Sequence, residues 1–159
     1  MDAAWIVDLL ASPWLFPALF ALIVVDAFFV IVPSETAVVA LAAVSGSTGS
    51  PSLWSLIAVA SIGAIVGDSL CYLIGRLVGF DRWEWQQRGS RGAAIAAAKR
   101  AIHIRPAVLI FTARYIPFAR IAVNLTAGAA RLYYPRYLAL SAGAGLGWAL
   151  YNTLIGAFF

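Results

Sequence analysis

Residues 107–130 read AVLIFTARYIPFARIAVNLTAGAA. The stretch has the composition of a segment immersed in hydrocarbon, yet Arg114, Pro117 and Arg120 are set into it. Hydrocarbon offers no water to backbone N–H and C=O groups, so irregular backbone at that depth must be enclosed by protein or line a wet cavity. Pro117 removes a helical hydrogen bond near the middle of the stretch and breaks the helix there. Basic residues flank both ends, Arg100 and Arg105 before it, Arg131 and Arg136 after it. Placed together on the cytoplasmic side by the positive-inside rule, these flanks require a segment that enters and returns. Residues 106–131 are therefore expected to form a re-entrant hairpin with its tip at Pro117.

The rest of the chain fits one membrane domain, 1–159. Hydrophobic residues make up 63% and charged residues 11%, against roughly a quarter charged in soluble domains. Residues 1–12 carry Asp2 and Asp8 and no basic residue, which places the N-terminus outside, with no basic region to open a cleaved signal peptide. Residues 13–50 hold Asp26, Pro33 and Glu35 within an apolar run too long for one straight span. They are expected to form a first re-entrant hairpin with its tip at Pro33, entering from the face opposite to the second. Residues 52–75 and 136–159 are expected transmembrane helices, each long enough to cross about 30 Å of hydrocarbon. Between them, 76–105 is basic, with Trp83, Trp85, Ile95 and Ile102 interleaved and Gly89 and Gly92 as interruptions. It reads as an amphipathic cytoplasmic segment lying against anionic headgroups, not as a nucleic-acid surface. Trp5, Trp14, Trp54 and Trp148 fit an aromatic belt, and His103 an interfacial residue. The lone Cys71 excludes an internal disulfide and a thiolate metal site, and no cofactor or metal is expected.

An internal repeat organises these segments. Gly63, Ala64, Gly67 and Leu70 match Gly143, Ala144, Gly147 and Leu150 at a constant offset of 80. Ala37, Val38 and Ala42 match Ala122, Val123 and Ala127, which aligns Glu35 with Arg120. Each repeat is a proline-broken hairpin followed by a glycine-rich span, and the basic loop between them gives the two opposite orientations. The expected fold class is thus all-α integral membrane with two inverted-topology repeats. Interrupted segments in corresponding halves point to a transporter with a midplane site. The glycines at 63, 67, 143 and 147 are expected to let the spans pack closely.

Charges inside the bilayer need partners. At about 3 kcal/mol each on insertion scales, Asp26, Glu35, Asp68, Arg114 and Arg120 would together cost about 15 kcal/mol unpaired. Hairpin tips meeting near the midplane would bring Glu35 toward Arg120. A structural ion pair needs only one arginine, and a hydrophobic pair is often as stable. Two arginines beside a helix break instead suit an anion, since guanidinium offers a permanently charged fork for phosphate or carboxylate. Arg114, Arg120 and Asn124 are therefore the expected substrate-binding residues, with Glu35, Asp68 and Asp26 as a charge network able to carry a proton. Burial disfavours a carboxylate's charge and a facing arginine favours it, so an anion taking the arginines would favour protonating Glu35. Asp68, Tyr72 and Arg76 fall on one helical stripe at i, i+4 spacing, which suits hydrogen bonds along it.

With VPSETAVVALAAVSG, GDSLCYLIGRLVG and FTARYIPFARIAVNLTAGAARL, the chain resembles the DedA family of bacterial membrane proteins, also called the VTT or SNARE-associated Golgi protein family. The resemblance implies opposed re-entrant hairpins, a multi-pass protein of the cytoplasmic membrane, and lipid translocation. In bacteria it implies return of undecaprenyl phosphate to the cytoplasmic face, dependent on the proton-motive force; in eukaryotes, phospholipid scrambling. The family's acid falls on Glu35 and its arginine pair on Arg114 and Arg120. Leu132 stands where the family often has methionine, SGSTGS replaces a second acid of some members, and many relatives continue into one more helix.

A membrane enzyme is the rival class. The lipid-phosphatase pattern K-x6-RP is one residue short at Lys99 to Pro106 with no later histidine, and the aspartyl-protease and CDP-alcohol transferase motifs are absent. The expected function is a lipid-phosphate translocase for an anionic polyprenyl phosphate or phospholipid headgroup, compatible with a homo-oligomer. The alternatives are a proton-coupled exporter of small cations, which leaves the arginine pair unexplained, and a non-selective phospholipid scramblase.

Overall fold

The computed structural model describes residues 4–29, 31–80, 82, 84–116 and 118–159. Every regular element among them is helical. They are α1 (Ala4–Ala11), α2 (Leu15–Asp26), α3 (Ser34–Thr48), α4 (Leu53–Val78), α5 (Glu84–Gln87), α6 (Gly89–Ile104), α7 (Pro106–Ala113), α8 (Ala119–Ala129) and α9 (Tyr134–Phe158). Among the described residues only α4, 26 residues, and α9, 25 residues, are long and apolar enough to cross a membrane; at 1.5 Å per residue each extends over about 38 Å. The chain packs as two compact units, the first 1–64 with 145–159, the second 65–144.

In the first unit α2 and α3 contact each other across a break that ends at Pro33, where the residue missing its N–H stands just before the first turn of α3 and removes no helical bond. At the other end of α3, Gly49 takes a left-handed conformation, φ 76°, and its N–H caps Ser45 O at 2.8 Å, the conformation glycine adopts without strain. Leu19 and Ile23 of α2, Val38 and Ala42 of α3, Leu56, Ala60 and Ala64 of α4, and Trp148 and Ala149 of α9 form the core. Trp148 is thus 2% exposed, a correction to its place in the aromatic belt: the small alanines and Val38 around it leave room for a large ring. Trp14 and Trp54 are exposed.

The second unit is built on the same plan. Here α7 and α8 contact each other, separated by residues 114–118, of which Phe118 has φ 62°; Pro117, the expected tip, lies outside the described residues, as do Asp81 and Trp83. Pro106 opens α7 at its first position, where proline is favoured. Tyr72, Ile102, Ile110, Ala127, Leu132, Tyr137 and Ala144 form the core. Gly89, φ 64°, opens α6, with Arg88 between it and α5. Gly92 lies inside α6 and, contrary to expectation, interrupts nothing; a Cβ there would collide with Gln87 O.

Matching contacts recur in the two units. Gly63 of α4 faces Phe20 and Ile23 of α2, as Gly143 of α9 faces Phe111 of α7. Gly156 of α9 lies on the backbone of Val39 in α3, as Gly75 of α4 lies on the backbone of Leu125 in α8. In each unit, then, the first helix of the broken pair packs on the long helix that follows it in sequence. The second packs on the other long helix. Gly147, expected at a close contact, has open space where a Cβ would stand.

A candidate anion site around Asp68

Asp68 stands in the middle of α4, 2% exposed. Arg114, at the C-terminal boundary of α7, donates from Nη1 to Asp68 Oδ2 at 2.5 Å, and the two side chains are each 2% exposed. Ser141 Oγ of α9 donates to the same oxygen at 3.2 Å. Asn124 of α8 donates from Nδ2 to Oδ1 at 3.0 Å. Arg120, in the first turn of α8, has its Nε 4.0 Å from Oδ1, with its side chain 15% exposed. Tyr137 Oη stands 2.9 Å from Asp68 O and 3.0 Å from Asn124 Oδ1, its proton shared between two acceptors. Four helices therefore converge on one carboxylate.

Local sequence explains the convergence. Breaking the chain at 114–118 puts Arg114 at the end of one short helix and Arg120 at the start of the next, so both guanidiniums work from the interruption. Gly128 and Gly75 let α8 lie on α4 with backbones nearly touching, which brings Asn124, one turn earlier, to Asp68. Tyr137 stacks on Tyr72 with ring centroids 4.5 Å apart, fixing the phenol against the α4 backbone. Along the stripe of α4, Arg76 Nη1 donates to Tyr72 Oη at 3.1 Å, and Tyr72 Oη to Leu132 O.

The remaining expected residues belong to the first unit. Glu35 is in the first turn of α3, where a negative charge meets the positive end of the helix dipole. Its Oε1 accepts from Trp148 Nε1 at 3.1 Å. Asp26 is the half-buried last residue of α2, and Pro33 precedes α3. Ser34, Ser61 and Thr153 are buried with hydroxyls that lack a hydrogen-bond partner among the described residues. Within the first unit Glu35 meets Trp148, and within the second unit Arg120 faces Asp68. At the offsets of the internal repeat, Glu35 corresponds to Arg120, Trp148 to Asp68 and Ser61 to Ser141. The Glu35–Trp148 contact is the first unit's counterpart of Arg120–Asp68. Sequence reasoning missed Trp148, Tyr137 and Ser141; the offset of 80 linking Trp148 to Asp68 and Ser141 to Ser61 was the signal that carried two of them.

Together these features define an all-helical membrane protein with a carboxylate–arginine cluster buried beside an interrupted helix. Residues 32–158 match the family described as the VTT domain, and the chain belongs to that family. It is 37% identical over 103 residues to an uncharacterized membrane protein of Mycobacterium tuberculosis, covering 62% of this chain and 47% of that one. It is 27% identical over 111 residues to an uncharacterized membrane protein of Mycobacterium leprae, covering 69% and 50%. An alkaline phosphatase-like protein of Lactococcus lactis is 27% identical over 143 residues, 86% of this chain and 66% of that one. The chain spans about half the length of the mycobacterial relatives. No solved structure gives a significant match.

Proposed function

We propose that the protein is a lipid-phosphate translocase of the cytoplasmic membrane, acting on undecaprenyl phosphate. The observation that carries this reading is the arginine pair at a helix break, held by a carboxylate with hydrogen bonds to spare. A buried guanidinium left without an anion is costly. Asp68 balances and orders Arg114 and Arg120 until a phosphate competes for them, and Asn124 and Ser141 then retain the carboxylate. Arginine matches phosphate oxygens in bidentate geometry, while the prenyl tail stays in the bilayer and needs no polar path. Membership of the VTT domain family agrees with a transporter-like role.

In this reading α2–α3 and α7–α8 are re-entrant hairpins of two inverted-topology repeats. Their short helices support it, since α7 has 8 residues and α8 has 11, about 12 and 16 Å against about 30 Å of hydrocarbon. Glu35 serves as the proton carrier, and the buried hydroxyls of Ser34, Ser61 and Thr153 in the same unit suit water that relays it. The protein is read as a transporter and not a hydrolase because Asp68 is engaged through both oxygens rather than poised to attack phosphorus.

The test is headgroup translocation in proteoliposomes, comparing a labelled prenyl phosphate with a labelled phosphatidyl lipid, with and without a pH gradient. Prenyl phosphate moves in the wild type and stops in Arg120→Ala, and the gradient accelerates it through Glu35. Folded protein that moves neither lipid overturns the proposal.

A further inference from the structure

We infer that the second unit carries another phosphate-lipid site, at the basic end of α4 and separate from the Asp68 cluster. A pocket of about 310 Å³ there is lined by Arg76, Leu77, Val78, Gly79, Arg82, Ala129 and Arg131. Three arginines face it, and no acid lines it among the described residues. Arg76 also lines an apolar groove of about 520 Å³ whose walls include Val66, Leu70, Leu73 and Leu138. A cationic pocket that shares one arginine with a hydrocarbon groove fits an anionic headgroup joined to a lipid tail.

Arginines at helix ends are commonplace, because they offset the helix dipole. Here α4 ends at Val78 and α8 at Ala129, contributing about half a negative charge each. Among the described residues three guanidiniums exceed that by about two charges, and a phosphomonoester carries about −1.5 to −2. The surplus matches a phosphomonoester headgroup better than a singly charged diester.

Arg131 supplies a second, independent sign. It occupies the residue after the cap of α8 with φ 53°. Leu132 N donates to Ala127 O at 3.0 Å and Arg131 N to Gly128 O at 2.9 Å, the paired bonds of a helix end that normally places glycine in the left-handed position. Here an arginine bears the strain, and its side chain lines this pocket and a neighbouring one of about 450 Å³ with Lys99, Arg100 and His103. His103 Nε2 donates to Ala130 O at 2.9 Å and holds that turn in place. The charge, not the backbone, accounts for the residue chosen.

Arg76 reports on the buried cluster through its bond to Tyr72, which stacks on Tyr137. Asp68 and Arg76 are two turns apart on α4, about 12 Å along its axis. The pocket is where a phosphate released by Arg114 and Arg120 arrives; that role rests on the translocase reading, whereas the binding stands without it.

The test uses the full chain in nanodiscs, with displacement of a fluorescent prenyl phosphate by farnesyl phosphate, farnesol or inorganic phosphate. Arg131→Gly keeps or raises the melting temperature, because glycine suits that backbone, yet weakens farnesyl phosphate about tenfold, as does Arg82→Ala, each losing a charge-assisted contact. Farnesol binds both variants as it does the wild type, and inorganic phosphate competes at least tenfold more weakly than farnesyl phosphate. Unchanged farnesyl phosphate affinity in both variants overturns the site, as does inorganic phosphate binding equally well. Proteoliposomes separate the two proposals: binding that needs Arg82 and Arg131 without translocation sinks the translocase alone. Translocation with wild-type binding in both variants sinks this site alone.

Discussion

Asp68 accepts from Arg114, Asn124 and Ser141, with Arg120 at 4.0 Å, so its charge and that of Arg114 stabilise one another inside the second unit. Asp68→Asn removes the negative charge that faces Arg114. The expected loss is about 3 kcal/mol, the usual consequence of breaking a buried pair by one partner. Arg114→Gln strands Asp68, which keeps Asn124 and Ser141, so its loss is smaller. In the double variant both charges are gone, and much of the loss returns. Equilibrium unfolding of the four proteins in detergent measures this, and strictly additive losses would show that the two charges are not coupled. The arginines, Asn124 and Asp68 were each legible in the sequence, because a charged or amide residue in an apolar run is conspicuous. Which acid serves which arginine was not. The repeat aligned Glu35 with Arg120, but alignment marks equivalent places in two repeats and carries no sign that Asp68 faces Arg114 within the second unit.

At the scale of the helix, glycine spacing foretold that the long helices pack closely but not through which residues. Gly63 and Gly143 do face neighbouring side chains, whereas Gly147 faces open space. Much tighter approaches fall at Gly75, Gly128 and Gly156, because close packing depends on which flank of a helix meets its neighbour's backbone, and a glycine's own letter carries no direction. A Cβ at Gly128 would collide with Tyr72 O, a backbone atom that cannot swing aside. Gly128→Ala is therefore expected to destabilise by about 2 kcal/mol, the scale of overpacking a filled core, and to loosen Asn124 from Asp68. Gly147→Ala meets nothing and gains helix propensity, about 0.5–1 kcal/mol. Thermal unfolding of the two variants in one detergent gives opposite shifts. A fall for Gly147→Ala as large as that for Gly128→Ala would show that glycine itself, and not its neighbour, sets stability there. Breaks were easier to foresee than contacts: Pro33 and Gly89 each mark one, since the constraint of a proline or a left-handed glycine is local.

For the whole molecule, the sequence repeat and the packing tell one story by different routes. Gly63 and Gly143 share a role, as do Gly75 and Gly156, and each unit takes a part of both long helices. Two copies of one design, each completed by the other's long helix, account for a polar contact at equivalent places, Arg120 with Asp68 and Glu35 with Trp148. One copy holds a basic group against a carboxylate; the other holds an acid against an indole. Such exchange is natural if the copies are inverted in the membrane, and labelling tests that inversion directly. The pairs α2–α3 and α7–α8 then enter from opposite faces and return. With Cys71 replaced by serine, single cysteines at Ser50 and Phe159 in right-side-out vesicles react with a membrane-impermeant maleimide. Cysteines at Ser90 and Tyr133 react only after permeabilisation. The decisive comparison is Ser90 against Tyr133, which flank α7–α8. Equal protection means that the pair returns to the face it entered. If Tyr133 labels from outside while Ser90 does not, α7–α8 crosses the membrane; Arg114 and Arg120 would then lie along a span rather than at a re-entrant tip, and the inverted-repeat topology would fail with it.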